Sequence, residues 1–238
     1  MTSPAAIITG ASRRVGRVIA LHLARSGYDI AIHYYRSSSD AQSLQREIRD
    51  IGQRAELFSA DLTNVDEVQV MAEDIFASFS TISLLINNAS RFEPGTIASP
   101  LSEFQNNLNV HLLSPLVLMQ AFAGHVQSGL IINFLDSAVT DDGTEHLPYL
   151  LSKKALASLT TMAAVALAPG IRVNAIAPGP VLPPPGLTAD HLQKRAAKTT
   201  LQIPVPLEGI LQGVDYLIHS PAVTGETLFI DSGQHLRR

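Results

Sequence analysis

The chain has 238 residues, 46% hydrophobic and 16% charged, without cysteine. At about 100–200 residues per domain one domain is the natural partition, and disulfides, thiolate nucleophiles and Cys-based metal sites are excluded. With 17 Lys and Arg against 21 Asp and Glu the net charge is −4, which argues against nucleic acid or an anionic membrane as partner and leaves any anion to a local patch.

Seven short apolar runs are expected as strands: Ala5–Thr9, Ile30–Tyr34, Glu56–Ser59, Leu84–Asn87, Leu130–Phe134, Arg172–Ile176 and Thr227–Ile230. They are continuous rather than alternating in polarity, as strands buried on both faces of a parallel sheet are. Between them Val15/Ile19/Leu23, Leu44/Ile48/Ile51 and Val68/Ala72/Ile75/Phe79 recur at helical spacing. The βα alternation predicts a single-domain Rossmann-type doubly wound α/β sheet over residues 1–238, with ligands beyond the carboxyl ends of the strands where their order reverses. No apolar run approaches the ~20 residues of a membrane span, and Met1-Thr2-Ser3-Pro4 carries no basic leader. A cytoplasmic protein is expected.

Thr9-Gly10-Ala11-Ser12-Arg13-Arg14-Val15-Gly16 joins the first strand to the first helix, where free N–H groups and the helix dipole suit a phosphate. The second strand runs into His33-Tyr34-Tyr35-Arg36-Ser37 and lacks the acid that would repel a 2′-phosphate. Arg36 and Ser37, with Arg13 beside them, offer charge-assisted hydrogen bonds instead, which favours NADPH over NADH. Asp40 reads as a helix N-cap or first-turn acid. Tyr149 and Lys153 stand one helical turn apart, and Asp136 closes the fifth strand where a side chain faces the cleft. From Pro178 to Pro185 five prolines follow the sixth strand, ahead of a polar helical stretch from Thr188 to about Leu201. That segment is either a stiff surface loop or a cover over the cleft, and its place favours a substrate-covering segment at about 178–205. The histidines show no three on one face, so no metal site is expected.

These motifs resemble the short-chain dehydrogenase/reductase family over Ile7 to Gln234. They are the Thr9–Gly16 turn, Ala60-Asp61-Leu62-Thr63, Asn87-Asn88-Ala89, Tyr149-x-x-x-Lys153, Arg172 through Ala177-Pro178-Gly179, and Thr224-Gly225 leading to Asp231-Ser232-Gly233. The resemblance implies that Tyr149 donates a proton and that Lys153 lowers its pKa while holding the nicotinamide ribose. It also implies that Asp61 and Leu62 border the adenine, and that Gly10, Val15, Tyr35, Asn88, Ala89, Ser90, Pro178 and Gly179 line the cofactor.

Two departures narrow it. Most of the family has glycine at Arg14 and serine at Asp136; the pteridine reductase branch is similar to this chain at both, in the His33–Ser37 run and in Asn88-Ala89-Ser90-Arg91-Phe92. Within the branch the chain is most similar to bacterial members that reduce dihydromonapterin, also described as alternative dihydrofolate reductases. The resemblance then implies NADPH-dependent reduction of 7,8-dihydropterins, hydride going to C6 and a proton to N5. Arg14, Ser90, Phe92, Asp136 and Tyr149 would surround the pterin. An ionised carboxylate repels a developing alkoxide yet accepts from the N–H groups of a dihydropterin. Ser137 remains the alternative carbonyl-holding serine, with Asp136 then a strand-end cap. His111 stands where the family has an active-site asparagine and is either a relay or a packing histidine, with Asn107 and Asn109 as alternatives in register. A general carbonyl or 3-oxoacyl reductase and a non-catalytic NADP-binding sensor are the competing functions. The apolar stretch Tyr149–Leu167 and the family point to a homotetramer.

Overall fold

The computed structural model describes residues 3–183 and 186–237, so Pro184 and Pro185 of the proline-rich segment, together with Met1, Thr2 and Arg238, lie outside the described residues. The strands are β1 (Ala5–Ile8), β2 (Asp29–Tyr34), β3 (Ala55–Ser59), β4 (Ile82–Asn87), β5 (Gly129–Phe134), β6 (Ile171–Pro178) and β7 (Thr227–Ile230). All pair in parallel in the order β3-β2-β1-β4-β5-β6-β7. The expected Rossmann-type sheet is therefore observed.

The continuous apolar runs are explained by two cores. Ala5, Ile7, Ala31, Ile131 and Val173 face one side, and Ala6, Ile8, Ile30, Ile32 and Ile132 the other. On the first side pack α3 (Val65–Ser78), α5 (Ser114–His125) and α6 (Leu147–Ala166), through Val68, Ile75, Phe122 and Leu156. On the second pack α1 (Arg14–Arg25), α2 (Ser38–Ile51) and α8 (Leu207–His219), through Ile19, Leu23, Leu44, Ile48 and Val214. Two further helices are α4 (Leu101–Leu108), which packs against α6, and α7 (Ala189–Ala196). None of the described helices is long and apolar enough to cross a membrane.

Several strand ends differ from expectation by one or two residues, and two boundaries have a physical cause in the structure. β6 runs on through Ala177 and Pro178 because its ladder to β5 already ends at Phe134↔Ile176, so the N–H that Pro178 lacks is not needed there. The helix expected to reach Leu201 stops at Ala196. Beyond it Leu201 N–H donates to Ser232 C=O at 2.9 Å and Thr200 Oγ1 to Gly233 C=O at 2.7 Å, tying the chain to the C-terminal turn. The sheet order reverses between β1 and β4, where Ile8 pairs Ile86, and the loops leaving these two strands build the site.

Candidate active site

The turn after β1 needs small residues. Gly10 has φ +63°, and a Cβ on Gly16 would meet the Gly10 carbonyl at 2.3 Å. Thr9 Oγ1 accepts the N–H groups of Asn88 at 2.9 Å and Ala89 at 3.0 Å, so the loop after β4 is fastened to this turn. The first turn of α1 has no acidic residue and Arg13 gives no capping hydrogen bond, leaving N–H groups for an anion. Arg14 occupies the family's glycine position with φ +53°, a conformation strained for a residue with a Cβ and typical of functional positions. Its Nη2 donates to the Pro183 carbonyl at 2.9 Å, so Pro183 lies against the turn after β1.

His33, given no role from sequence, holds this turn from below. Its Nδ1 accepts the Gly10 N–H at 3.0 Å and its Nε2 faces the Ala60 carbonyl at 3.1 Å, which requires a neutral ring protonated on Nε2. Burial lowers its pKa to about 4. Between that value and the ordinary 6.5 the unfolded chain binds the proton that the fold refuses. Stability is therefore complete above about pH 6.5 and falls by about 3 kcal/mol from this residue alone as pH drops to 4. Urea midpoints measured across that window check it.

At the other end of the cleft Ser12 Oγ and Ser37 Oγ are 2.6 Å apart, and the Arg36 guanidinium lies over the Tyr35 ring at 4.6 Å. Asp40 is a first-turn acid of α2, whose N-cap is Ser37, and it pairs with Arg13. Burial alone would raise the pKa of Asp61, but hydrogen bonds from Thr63 and Tyr35 and the charge of Arg36 outweigh it and leave the pKa lowered. Gly10, Arg13, Arg14, Val15, Tyr35, Arg36, Ser37, Asp61, Leu62, Asn88, Ala89 and Ser90 all line one cleft of about 910 Å³. Pro178 and Gly179 are not among its walls; the Gly179 N–H bonds the Ile230 carbonyl and serves β7.

Asp136, Tyr149 and Lys153 form a separate polar group beyond Ser90. The Tyr149 hydroxyl donates to Asp136 Oδ2 at 2.8 Å, while Asp136 Oδ1 accepts the Ala138 N–H at 2.8 Å. The aspartate thus caps the short turn Ser137–Thr140 that follows β5 and is a partner of the tyrosine at once. Ser137 Oγ is buried without a hydrogen-bond partner among the described residues. Burial and the neighbouring Asp136 charge push Tyr149 well above its ordinary value, and burial pulls Lys153 down to about 8 against the opposing pull of Asp136. Lys153 Nζ donates to the Phe134 carbonyl at 2.6 Å. Tyr149 is therefore protonated at neutral pH.

Phe92 stacks on His146 with centroids 4.1 Å apart and meets the Tyr149 ring edge-on at 4.8 Å. His111 is buried between Ser90, Arg91 and Ser152. Asn107 Nδ2 donates to Glu103 C=O and Asn109 Nδ2 to Thr63 C=O, so neither replaces His111. Sequence gives His146 and Arg195 no site role; the positive charge of Arg195, on α7, opposes the rise in the Tyr149 pKa. Only its place in the expected cover pointed toward it.

A parallel sheet with a glycine-containing turn at its order reversal, and a Tyr/Lys pair beyond it, defines a Rossmann-type dinucleotide-binding fold. The chain belongs to the short-chain dehydrogenase family, whose model matches residues 4–193. It is 30% identical to a dihydromonapterin reductase of Escherichia coli O6:K15:H31 over 97% of this chain and 96% of that one. The crystal structure of FolM alternative dihydrofolate reductase 1 from Brucella canis, complexed with NADP, is 34% identical, covers 98% of this chain and 94% of its own, and superposes with a TM-score of 0.91. The corresponding Brucella suis protein with NADP is 33% identical, with 99% and 97% covered and a TM-score of 0.93. The resemblance read from Arg14, Asp136 and the His33–Ser37 run agrees with these relatives.

Proposed function

We propose that this protein is an NADPH-dependent pteridine reductase that converts 7,8-dihydropterins, dihydromonapterin among them and dihydrofolate as a further candidate, to tetrahydropterins. NADP in two similar structures supports the cofactor, and this chain's residues fit it. The tight approach of Gly10 and Gly16 and the uncapped start of α1 suit the pyrophosphate, while Arg36, Ser37 and Ser12 suit the 2′-phosphate. When bound, the cofactor supplies a hydride to the carbon of the substrate's C=N bond. Tyr149 Oη holds the proton destined for the neighbouring nitrogen, and Lys153 orients the nicotinamide ribose. Asp136 accepts from the amino and ring N–H groups, Phe92 covers one face of the ring, and Arg14 faces the pterin carbonyl or a cofactor phosphate.

The observation that carries this reading is the Asp136 carboxylate bonded to the Tyr149 hydroxyl, an acceptor where a ketone reductase needs a donor. NADPH oxidation with dihydromonapterin, dihydrobiopterin, dihydrofolate and an acetoacetyl thioester tests it. Turnover of the dihydropterins is expected; preference for the thioester overturns the substrate, and tight NADPH binding without turnover points to a sensor. Arg36→Ala is expected to raise KM for NADPH about 10- to 100-fold, the worth of one charge-assisted hydrogen bond, and to leave NADH unchanged in parallel steady-state assays. Arg14→Gly relieves a positive φ, so its thermal midpoint is expected to equal or exceed that of the natural protein. KM for NADPH or the pterin rises all the same, a split that separates function from packing.

The Arg14–Pro183 bond and the charge of Arg195 near Tyr149 support the segment at about 178–205 as the substrate cover. Leu151, Met162 and Val165 stand exposed along α6, which supports this helix as the contact surface of a homotetramer.

A further inference from the structure

His111 sits in a one-turn π-helix, Asn109–Leu113, between α4 and α5. Pro115, near the start of α5, has no N–H for the His111 carbonyl and would clash with it in a regular helix, so the chain takes an extra residue there. The bulge turns the imidazole inward, where it touches the loop after β4 and α6.

The directions of the protons on Ser152 and His111 follow from their partners. Ser152 Oγ lies 2.6 Å from the Tyr149 carbonyl, which can only accept, so the one hydroxyl proton of Ser152 is committed there. Ser152 Oγ is also 2.8 Å from His111 Nδ1, and with its proton spent it accepts; Nδ1 carries a hydrogen. Independently, the Arg91 backbone N–H points at His111 Nε2 at 3.2 Å, and a donor needs a bare nitrogen. Burial and the positive charges of Lys153 and Arg91 hold the His111 pKa well below its ordinary value, so the ring stays neutral. Ser90 Oγ is 3.1 Å from that bare Nε2, a group to which it can only donate, and its contact with the Tyr149 hydroxyl is the competing use of its proton.

We propose that His111 is a positioning residue that commits the Ser90 proton inward, so that Ser90 presents only lone pairs to the cleft and selects substrates bearing N–H donors. Ser90 and Asp136 then form an acceptor-only surface beside Tyr149. An asparagine in place of His111 carries both a donor and an acceptor and leaves the Ser90 hydroxyl free in either direction. The inference rests on the pteridine-reductase reading for its substrate, while the proton arrangement stands on the protein alone.

Nitrogen-15 NMR of the histidine-labelled natural protein tests the arrangement without turnover. The His111 ring, assigned through its contacts with the Tyr149 ring 5.4 Å away, is expected to show a protonated Nδ1 and a bare Nε2, unchanged between about pH 5.5 and 8.5. A protonated Nε2, or titration near 6.5, overturns it. His111→Asn and Ser90→Ala are each expected to raise KM for the dihydropterin about 3- to 10-fold, with a smaller change in kcat, and the double variant to be no worse than Ser90→Ala alone. Additive losses, or an unchanged KM in Ser90→Ala, overturn the link to specificity. If the natural protein turns over no dihydropterin, the proposed function fails, and the ring's nitrogen signature still decides whether Nε2 is bare and able to accept from Ser90.

Discussion

Tyr149→Phe lowers kcat for a dihydropterin by about 10²- to 10⁴-fold, the usual contribution of a positioned proton donor, while NADPH binding followed by fluorescence persists. The hydroxyl is the only part removed: the ring keeps its edge contacts with Phe92 at 4.8 Å and His111 at 5.4 Å. Because burial and the Asp136 charge hold Tyr149 well above its ordinary pKa, the natural side chain is protonated throughout the neutral range and Phe mimics its shape closely. The group whose charge changes first on the alkaline side is Lys153, at about 8. Activity is therefore expected to decline as pH rises through that value. A fall in kcat of less than about threefold in Tyr149→Phe, against the magnitude above, would assign the proton to another group.

Asp136→Asn is expected to lower kcat/KM for dihydropterins roughly 10- to 150-fold, from the ~1.5–3 kcal/mol of a hydrogen bond to a charged group. The asparagine retains an oxygen for the Ala138 N–H, so the turn after β5 survives and the loss reports on chemistry. Removing the carboxylate also removes the charge that raises Tyr149 and supports the protonated form of Lys153. The alkaline limb of the pH–rate profile is therefore expected to shift to lower pH. Asp136→Ser, which restores the family's common donor, is expected to gain activity on the acetoacetyl thioester. Steady-state assays of both variants on both substrates check these outcomes.

The sheet was legible in the sequence because strands buried on both faces are apolar throughout, as Ile7 and Ile8 on opposite cores illustrate. Tyr149 and Lys153 were legible because helical spacing alone puts them on one face, and Asp136 because it ends a strand. What escaped depends on contacts between distant parts of the chain. Nothing local to Arg14 reports its bond to Pro183, 169 residues away, nor anything near His33 its grip on Gly10. The end of α7 escaped for a related reason: the polar pattern continues past Ala196, and tertiary bonds from Thr200 and Leu201 to the C-terminal turn stop the helix. Asp136 was weighed as either cap or ligand-facing acid, and the two carboxylate oxygens allow it to bond a turn and Tyr149 together.

A crystal structure of the ternary complex with NADP and a 7,8-dihydropterin tests the role of Asp136 most directly. The account predicts its carboxylate within about 3 Å of the pterin's amino or ring N–H groups, with Tyr149 Oη beside the ring nitrogen that receives the proton. A pterin whose carbonyl oxygen faces this site, or a carboxylate turned to solvent away from the ring, would contradict it.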